Sequence, residues 1–131
     1  MAGKTSPSMD EWLREAKCDP SLPDIGMFLV HNGIVRETAK AKVRQGAENT
    51  APVRGMDFSY DKEQVALLRE KTMKMPGIFY LRYWLNEGIL QTGDDIMYVL
   101  VGGDTRPHVV DALQYFVGKV KSDFVKELEM F

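Results

Sequence analysis

The sequence lacks disulfide-forming cysteines, membrane-spanning segments and a secretory signal. Cys18 is the only cysteine among the 131 residues, so the chain cannot form an internal disulfide. No apolar run approaches the roughly 20 residues that cross a bilayer. The N-terminal residues MAGKTSPSMDEW also lack the apolar segment of a secretory signal. We therefore expect a cytoplasmic protein without a membrane-spanning segment.

Two further absences narrow the function. No CxxC or HExxH pattern occurs, so neither a metal site nor a bound cofactor is predicted. The formal net charge of −2 disfavours a general nucleic-acid binder, which normally carries a basic excess over one face. Four basic residues nevertheless fall within nine positions: Arg36, Lys40, Lys42 and Arg44. They are either an ordinary solvated loop or part of a local anion site.

The length and composition of the sequence predict one soluble globular domain. The composition is 44% apolar and 27% charged, as in an ordinary globular protein of this length. Residues 1–7 are expected to be a disordered lead-in. Ser8 and Glu11 then have capping-box spacing and predict a helix from there to about Lys17, so the folded domain is expected over 8–131.

Hydrophobic periodicity predicts the remaining elements. Strands are expected at 25–36, 55–60, 78–85 and 96–101, and two more helices at about 62–75 and 106–127. Asp61 is placed to cap the first of these two helices. The first strand is nearly all apolar and is predicted to be buried on both faces, with either a bulge or a close approach of backbones at Gly33. Residues 37–54 have no period and are expected to be a long loop. The order of elements indicates an α+β fold with a mixed or antiparallel sheet and three main helices.

Three segments carry candidate functional residues. Arg36 ends a strand and offers a planar set of donors suited to phosphate or carboxylate. The segment VGGDTRPH places Arg106 in the first turn of the last helix, where backbone N–H groups attract anions. The alternative there is that Asp104 or Thr105 simply caps the helix.

The third segment is the lysine-rich end of the last predicted helix. Lys119, Lys121 and Lys126 fall where cations are favoured by the helix dipole, which alone explains them. A catalytic lysine would instead need neighbouring charges to alter its protonation. The sequence leaves both readings open.

Together these segments resemble the large, catalytic subunit of molybdopterin synthase, over residues 25 to 127. The resemblance is carried, in order, by GMFLVHNGIVRE, MDFSYDKEQVALL, EGILQTGDDIMYVLV and TRPHVVDALQYFVGKVKSDFVKE. The family implies a hammerhead-like α+β fold, a homodimer, and a small ubiquitin-like subunit bound to each protomer as a heterotetramer. That subunit carries a thiocarboxylate on its Gly-Gly C-terminus, and its sulfur passes to cyclic pyranopterin monophosphate to form molybdopterin.

The resemblance also assigns roles to residues. Arg36 matches a pocket arginine, and Arg106 matches an arginine that reaches the neighbouring protomer's site. Lys121 matches the first functional lysine, and Lys126 matches the second when one residue is deleted between them. These matches imply a sulfurtransferase of molybdenum cofactor biosynthesis with Lys121 and Lys126 as catalytic residues.

Two positions depart from the family pattern. Thr105 stands where the family has histidine, and His31 stands where it has an aromatic residue near the pocket. Both are candidates for anion or substrate binding, and a packed histidine is the alternative for His31. The departures leave a second reading open, in which the chain is a catalytically impaired binding or assembly protein.

Overall fold

The computed structural model describes residues 4–37 and 52–131. Within them lie three α-helices: α1 (Met9–Ala16), α2 (Lys62–Met73) and α3 (Arg106–Lys119). A short 3-10 turn occupies Leu22–Asp24, and a π-helical turn, Val120–Phe124, follows α3. The strands are β1 (Met27–Ile34), β2 (Gly55–Tyr60), β3 (Ile78–Leu85), β4 (Gly88–Gln91), β5 (Asp95–Gly103) and β6 (Val125–Met130).

The strands form two three-stranded antiparallel sheets, in the orders β1-β5-β3 and β4-β2-β6. The main core includes Phe58 from β2, Leu81 from β3 and Phe116 from α3, all at most 1% exposed. A smaller apolar cluster joins Trp12 and Ala16 of α1 to Leu100 of β5. The α+β prediction is therefore confirmed, with antiparallel pairing throughout.

Local helix signals are confirmed by their hydrogen bonds. The Ser8 hydroxyl accepts from the Glu11 N–H at 3.3 Å and caps α1. The Asp61 carboxylate accepts from the Gln64 N–H at 3.1 Å and caps α2. Each side chain satisfies a donor that the first helical turn leaves free.

The expectation for the first strand was wrong in two respects. β1 begins at Met27 and ends at Ile34, and its residues alternate between partial burial and exposure. The physical reason is its position: β1 is an edge strand, whereas β5 lies between β1 and β3 and is the buried centre. The bulge predicted at Gly33 is confirmed, since the β1–β5 register shifts between Gly33 and Ile34.

The C-terminal helix was predicted too long. α3 ends at Lys119, and the chain passes through the π-helical turn into β6, which pairs with β2 from Gly55 to Tyr60. β4 takes one edge of β2 and β6 takes the other, so pairing overrides the helical pattern. Gly102 and Gly103, expected to end a strand, lie inside β5 opposite Phe28 and Met27.

Candidate functional site

The fold separates the candidate residues into two groups along the first sheet. Ile34 pairs with Asp95 and Met27 pairs with Gly103, so β1 ends where β5 begins. β5 turns directly into α3, which packs back over β5 and β1. The start of α3 therefore lies at one end of the sheet, and its C-terminus points toward the end where β1 finishes.

His31 and Lys121 are brought together by this return of α3. His31 lies in the middle of β1, opposite Val99. Burial lowers the pKa of His31, and the positive charge of Lys121 lowers this pKa further. The imidazole is therefore neutral at pH 7. The two residues are ninety positions apart in the sequence, and the tertiary structure brings the Lys121 charge close enough to act on His31.

The π-helical turn sets the position of Lys121. Such turns are rare and often occur at functional sites. Lys119, the last residue of α3, forms an ion pair with Asp123 of the turn, with the Lys119 Nζ 3.7 Å from a carboxylate oxygen. Lys121 is half-buried, and no carboxylate of the described residues lies within salt-bridge distance of it.

Arg36 follows β1 at the end of the first sheet. The flanking Val35 N–H donates to the Asp94 carbonyl at 3.0 Å, and the Gly93 N–H donates to the Val35 carbonyl at 2.8 Å. These bonds fix the backbone next to Arg36 against the turn between β4 and β5. The basic residues Lys40, Lys42 and Arg44 fall outside the described residues.

Lys126 occupies a different setting from the one predicted. It lies on β6, exposed and opposite Ser59 of β2, rather than on a helix. It borders a shallow depression whose other walls include Tyr60, Asp123 and Phe124. Lys121 lies within the π-helical turn and Lys126 lies two residues after its end.

Arg106 and Thr105 lie at the opposite end of the sheet from the end of α3. Fifteen residues of nearly continuous helix separate Arg106 from Lys121. At 1.5 Å per residue this is about 20 Å, so one chain does not bring the two cations to one ligand group. Thr105 is the N-cap residue of α3, but its side chain makes no capping bond to the helix.

An Asp–His pair beside Arg106 was missed by the sequence reasoning. The Asp104 carboxylate accepts from the Thr105 N–H at 2.6 Å and lies 2.7 Å from His108 Nδ1. The bond to His108 is the main cause that lowers the pKa of Asp104. The spacing of four residues at a helix start was the available signal, because it places both side chains on one face.

Comparison with known proteins identifies the architecture. The sequence matches no protein-family model and no curated protein. Its structure matches a molybdopterin synthase from Staphylococcus aureus with a TM-score of 0.72 and 19% identity, covering 96% of this chain and 87% of that one. It matches a molybdopterin biosynthesis MoaE protein from Burkholderia ambifaria with a TM-score of 0.70 and 16% identity, covering 97% and 83%.

A third match is a complex of subunits 1 and 2 of the molybdopterin-converting factor from Helicobacter pylori. The TM-score is 0.67 at 17% identity, and the match covers 98% of this chain and 82% of that one. The chain has the fold of these molybdopterin biosynthesis proteins. The resemblance found in the sequence motifs is therefore confirmed at the level of the fold.

The described residues of this MoaE-like fold contain neither a cluster of metal-ligating side chains nor a membrane-spanning helix. Within residues 4–37 and 52–131, no group of three or more His, Cys, Asp or Glu side chains is arranged to hold a metal ion. No helix in the same ranges is long and apolar enough to span a membrane.

Proposed function

We propose that this protein is the catalytic subunit of a molybdopterin synthase. In this proposal it transfers sulfur from the C-terminal thiocarboxylate of a small ubiquitin-like subunit to cyclic pyranopterin monophosphate, forming molybdopterin. The strongest support is the fold match over 96% of the chain, combined with the four motifs that resemble the family in order. The match to a complex of subunits 1 and 2 supports a small protein partner.

The positions of the cations suit the two anions of this reaction. Lys121 is half-buried and its charge acts on His31, and in this proposal its ammonium group holds the thiocarboxylate. The sulfur then forms a bond to a substrate carbon as the bond between that carbon and an oxygen breaks, and the oxygen departs on the phosphate or, after taking up a proton, as water. Water later cleaves the bond between that sulfur and the carbonyl of the small subunit, which leaves as a carboxylate. An ammonium group close to that carbonyl stabilises the oxyanion formed during this cleavage.

The remaining candidates take supporting roles in the proposal. Arg36, at the end of β1, binds the substrate phosphate with its planar donors. Lys126, on the far side of the π-helical turn, guides the acidic C-terminus toward Lys121. Arg106 and Thr105, about 20 Å away along α3, serve the site of a second copy in a homodimer. With one small subunit on each protomer, the assembly is a heterotetramer.

The test is the reaction with purified components. The protein is mixed with a thiocarboxylated small subunit and the cyclic pterin, and molybdopterin is quantified by mass spectrometry. We expect product, and we expect Lys121→Ala to lose roughly 100-fold or more of the rate, as when one oxyanion-stabilising group is removed. Lys119→Ala is the matched control, because Lys119 is on the same segment but is paired with Asp123. Absence of product with a partner that supports another synthase would contradict the proposal.

Thr105 favours a second candidate function, a binding or assembly protein without catalysis. Threonine replaces the family histidine at this position, so the ionisable imidazole is absent. The Thr105 hydroxyl donates a hydrogen bond to the Asp104 carboxylate at 3.3 Å. This candidate predicts that the small subunit binds but no molybdopterin forms. A binding measurement in parallel with the reaction assay separates the two functions.

A further inference from the structure

The Asp104–His108 pair at the start of α3 leaves one ring nitrogen open. His108 Nδ1 lies 2.7 Å from the Asp104 carboxylate, and the side chains of Asp104 and His108 are 40% and 43% exposed. Among the described residues His108 Nε2 has no hydrogen-bond partner. This atom is also not buried, because the buried side-chain nitrogen without a partner in those residues belongs to His31. Nε2 of His108 is therefore accessible to a ligand or a water molecule.

Two regular elements and one turn hold the pair in position. Asp104 directly follows β5, and His108 lies in the first turn of α3. The Asp104 N–H donates to the Gly77 carbonyl at 2.9 Å, and the Asp104 carboxylate accepts from the Thr105 N–H at 2.6 Å. A side-chain carbon at Gly77 would overlap both Asp104 Oδ1 and His108 Nδ1, so the turn after α2 lies against the bonded edge of the ring. Such support fixes the direction of the imidazole.

The carboxylate decides which ring nitrogen of His108 carries the hydrogen. The bond to His108 is the first cause that lowers the pKa of Asp104, and the carboxylate is therefore ionised at neutral pH. An ionised carboxylate only accepts hydrogen bonds, so Nδ1 of the neutral imidazole is the donor and Nε2 keeps its lone pair. When Nε2 takes up a proton, the carboxylate stabilises the imidazolium that forms. These are the properties of a general base.

A stabilising role alone explains the pair poorly. Exposed ion pairs contribute little to stability. A protonated imidazole in the first turn of a helix is also disfavoured by the helix dipole. Arg106 lies in the same turn and is exposed, so the start of α3 presents a guanidinium group together with the imidazole. A cation beside a proton acceptor suits a reaction in which water attacks a carbonyl and an oxyanion forms.

We propose that His108, held by Asp104, is the general base that activates water for the last step of the sulfur transfer. This inference rests on the proposed function, in which the start of α3 serves the site of the second copy. As the water oxygen bonds to the carbonyl carbon of the small subunit, Nε2 takes one proton from the water. The bond between carbon and sulfur then breaks, and its electron pair stays on the sulfur. The imidazolium passes its proton to that thiolate or to solvent.

The first experiment measures molybdopterin formation and the covalent adduct that precedes it. Loss of the base slows the cleavage by water but not the earlier attack of sulfur on the substrate. We therefore expect His108→Ala to lower the rate roughly 100-fold or more. Mass spectrometry of the intact small subunit should then show that it accumulates with the pterin attached through sulfur. Added imidazole should restore part of the rate of His108→Ala and none of the rate of Lys121→Ala.

Three further variants separate proton transfer from packing. His108→Gln can keep a hydrogen bond to Asp104 but cannot take up a proton, so it should melt like the unchanged protein and still lose the rate. Asp104→Asn should also lose most of the rate, because its amide can donate to Nδ1 and move the ring hydrogen to Nε2. Nitrogen NMR of the ring shows which nitrogen is protonated in each protein. Asp111→Asn is the matched control, since Asp111 is exposed on the same helix and should keep the full rate.

Each result has one reading. The inference is overturned if folded His108→Gln forms molybdopterin as fast as the unchanged protein, or if His108→Ala is slow without accumulating the adduct. It is also overturned if the ring hydrogen of the unchanged protein is on Nε2. In all three cases the unchanged protein still makes product, so the proposed function stands. Failure of the proposed function looks different, because the unchanged protein itself then forms neither product nor adduct.

Discussion

Gly77 shows how one residue without a side chain holds a polar pair in place. It follows Pro76 in the turn after α2 and has a φ of 76°, in the left-handed region that favours glycine. A side-chain carbon at this position would overlap both the Asp104 carboxylate and His108 Nδ1. The Gly77 carbonyl also accepts from the Asp104 N–H at 2.9 Å. Gly77 therefore fixes both the turn and the Asp104–His108 pair.

At the residue scale we predict that Gly77→Ala destabilises the protein by about 2–4 kcal/mol, combining left-handed strain with overpacking. Urea denaturation measures the loss. Gly93→Ala is the matched control, because Gly93 has a φ of 92° but no atom within 4 Å of the added carbon. Gly93→Ala should cost only the strain, about 1–2 kcal/mol. Equal losses in the two variants would show that the overlap with Asp104 and His108 has no effect.

At the element scale, the start of a helix is decided by neighbouring residues, whereas the end of α3 is decided by distant ones. The caps at Ser8 and Asp61 can be read from short sequence patterns because each bond spans three residues. The end of α3 cannot be read in this way. Lys121 and Phe124 continue a helical pattern, yet the chain leaves the helix to pair with β2.

We predict that Asp61→Ala lowers the free energy of unfolding by about 1 kcal/mol, because the first turn of α2 loses its cap. Asp61→Asn is the matched control: asparagine caps nearly as well, so its stability should stay within about 0.5 kcal/mol of the unchanged protein. Denaturation at constant pH measures both. If Asn lost as much as Ala, the carboxylate charge rather than the capping bond would be the stabilising feature.

At the scale of the whole molecule, the distance along α3 decides how a complete site can form. Arg106 and Lys121 are about 20 Å apart in one chain, so a site that uses both requires two copies. In a closed two-fold dimer each site then takes Lys121 from one protomer and Arg106 from the other.

This arrangement predicts complementation between inactive variants. Arg106→Ala and Lys121→Ala are each expected to lose most of the sulfur-transfer rate. When the two proteins are unfolded together and refolded as a mixture, half of the dimers are mixed and each has one intact site, so about one quarter of the activity should return. Mixing without refolding is the control. No recovery in refolded mixtures that contain mixed dimers would place Arg106 and Lys121 in separate functions.

The sequence alone determined the locally encoded features of this protein. The two caps, the bulge at Gly33, the strands β2, β3 and β5 and the α+β class follow from patterns within a few residues of one another. The motifs also pointed to the architecture that the structural matches share.

Tertiary structure decided the rest, because long-range pairing and burial depend on residues far apart in the chain. It made β1 an edge strand, moved Lys126 from a helix to a strand, and separated Arg106 from Lys121. It also lowered the pKa of His31, through burial and through the charge of Lys121, ninety positions away in sequence. The sequence shows which chemical groups the chain contains. The burial and the charged neighbours that set the behaviour of each group arise only when the chain folds.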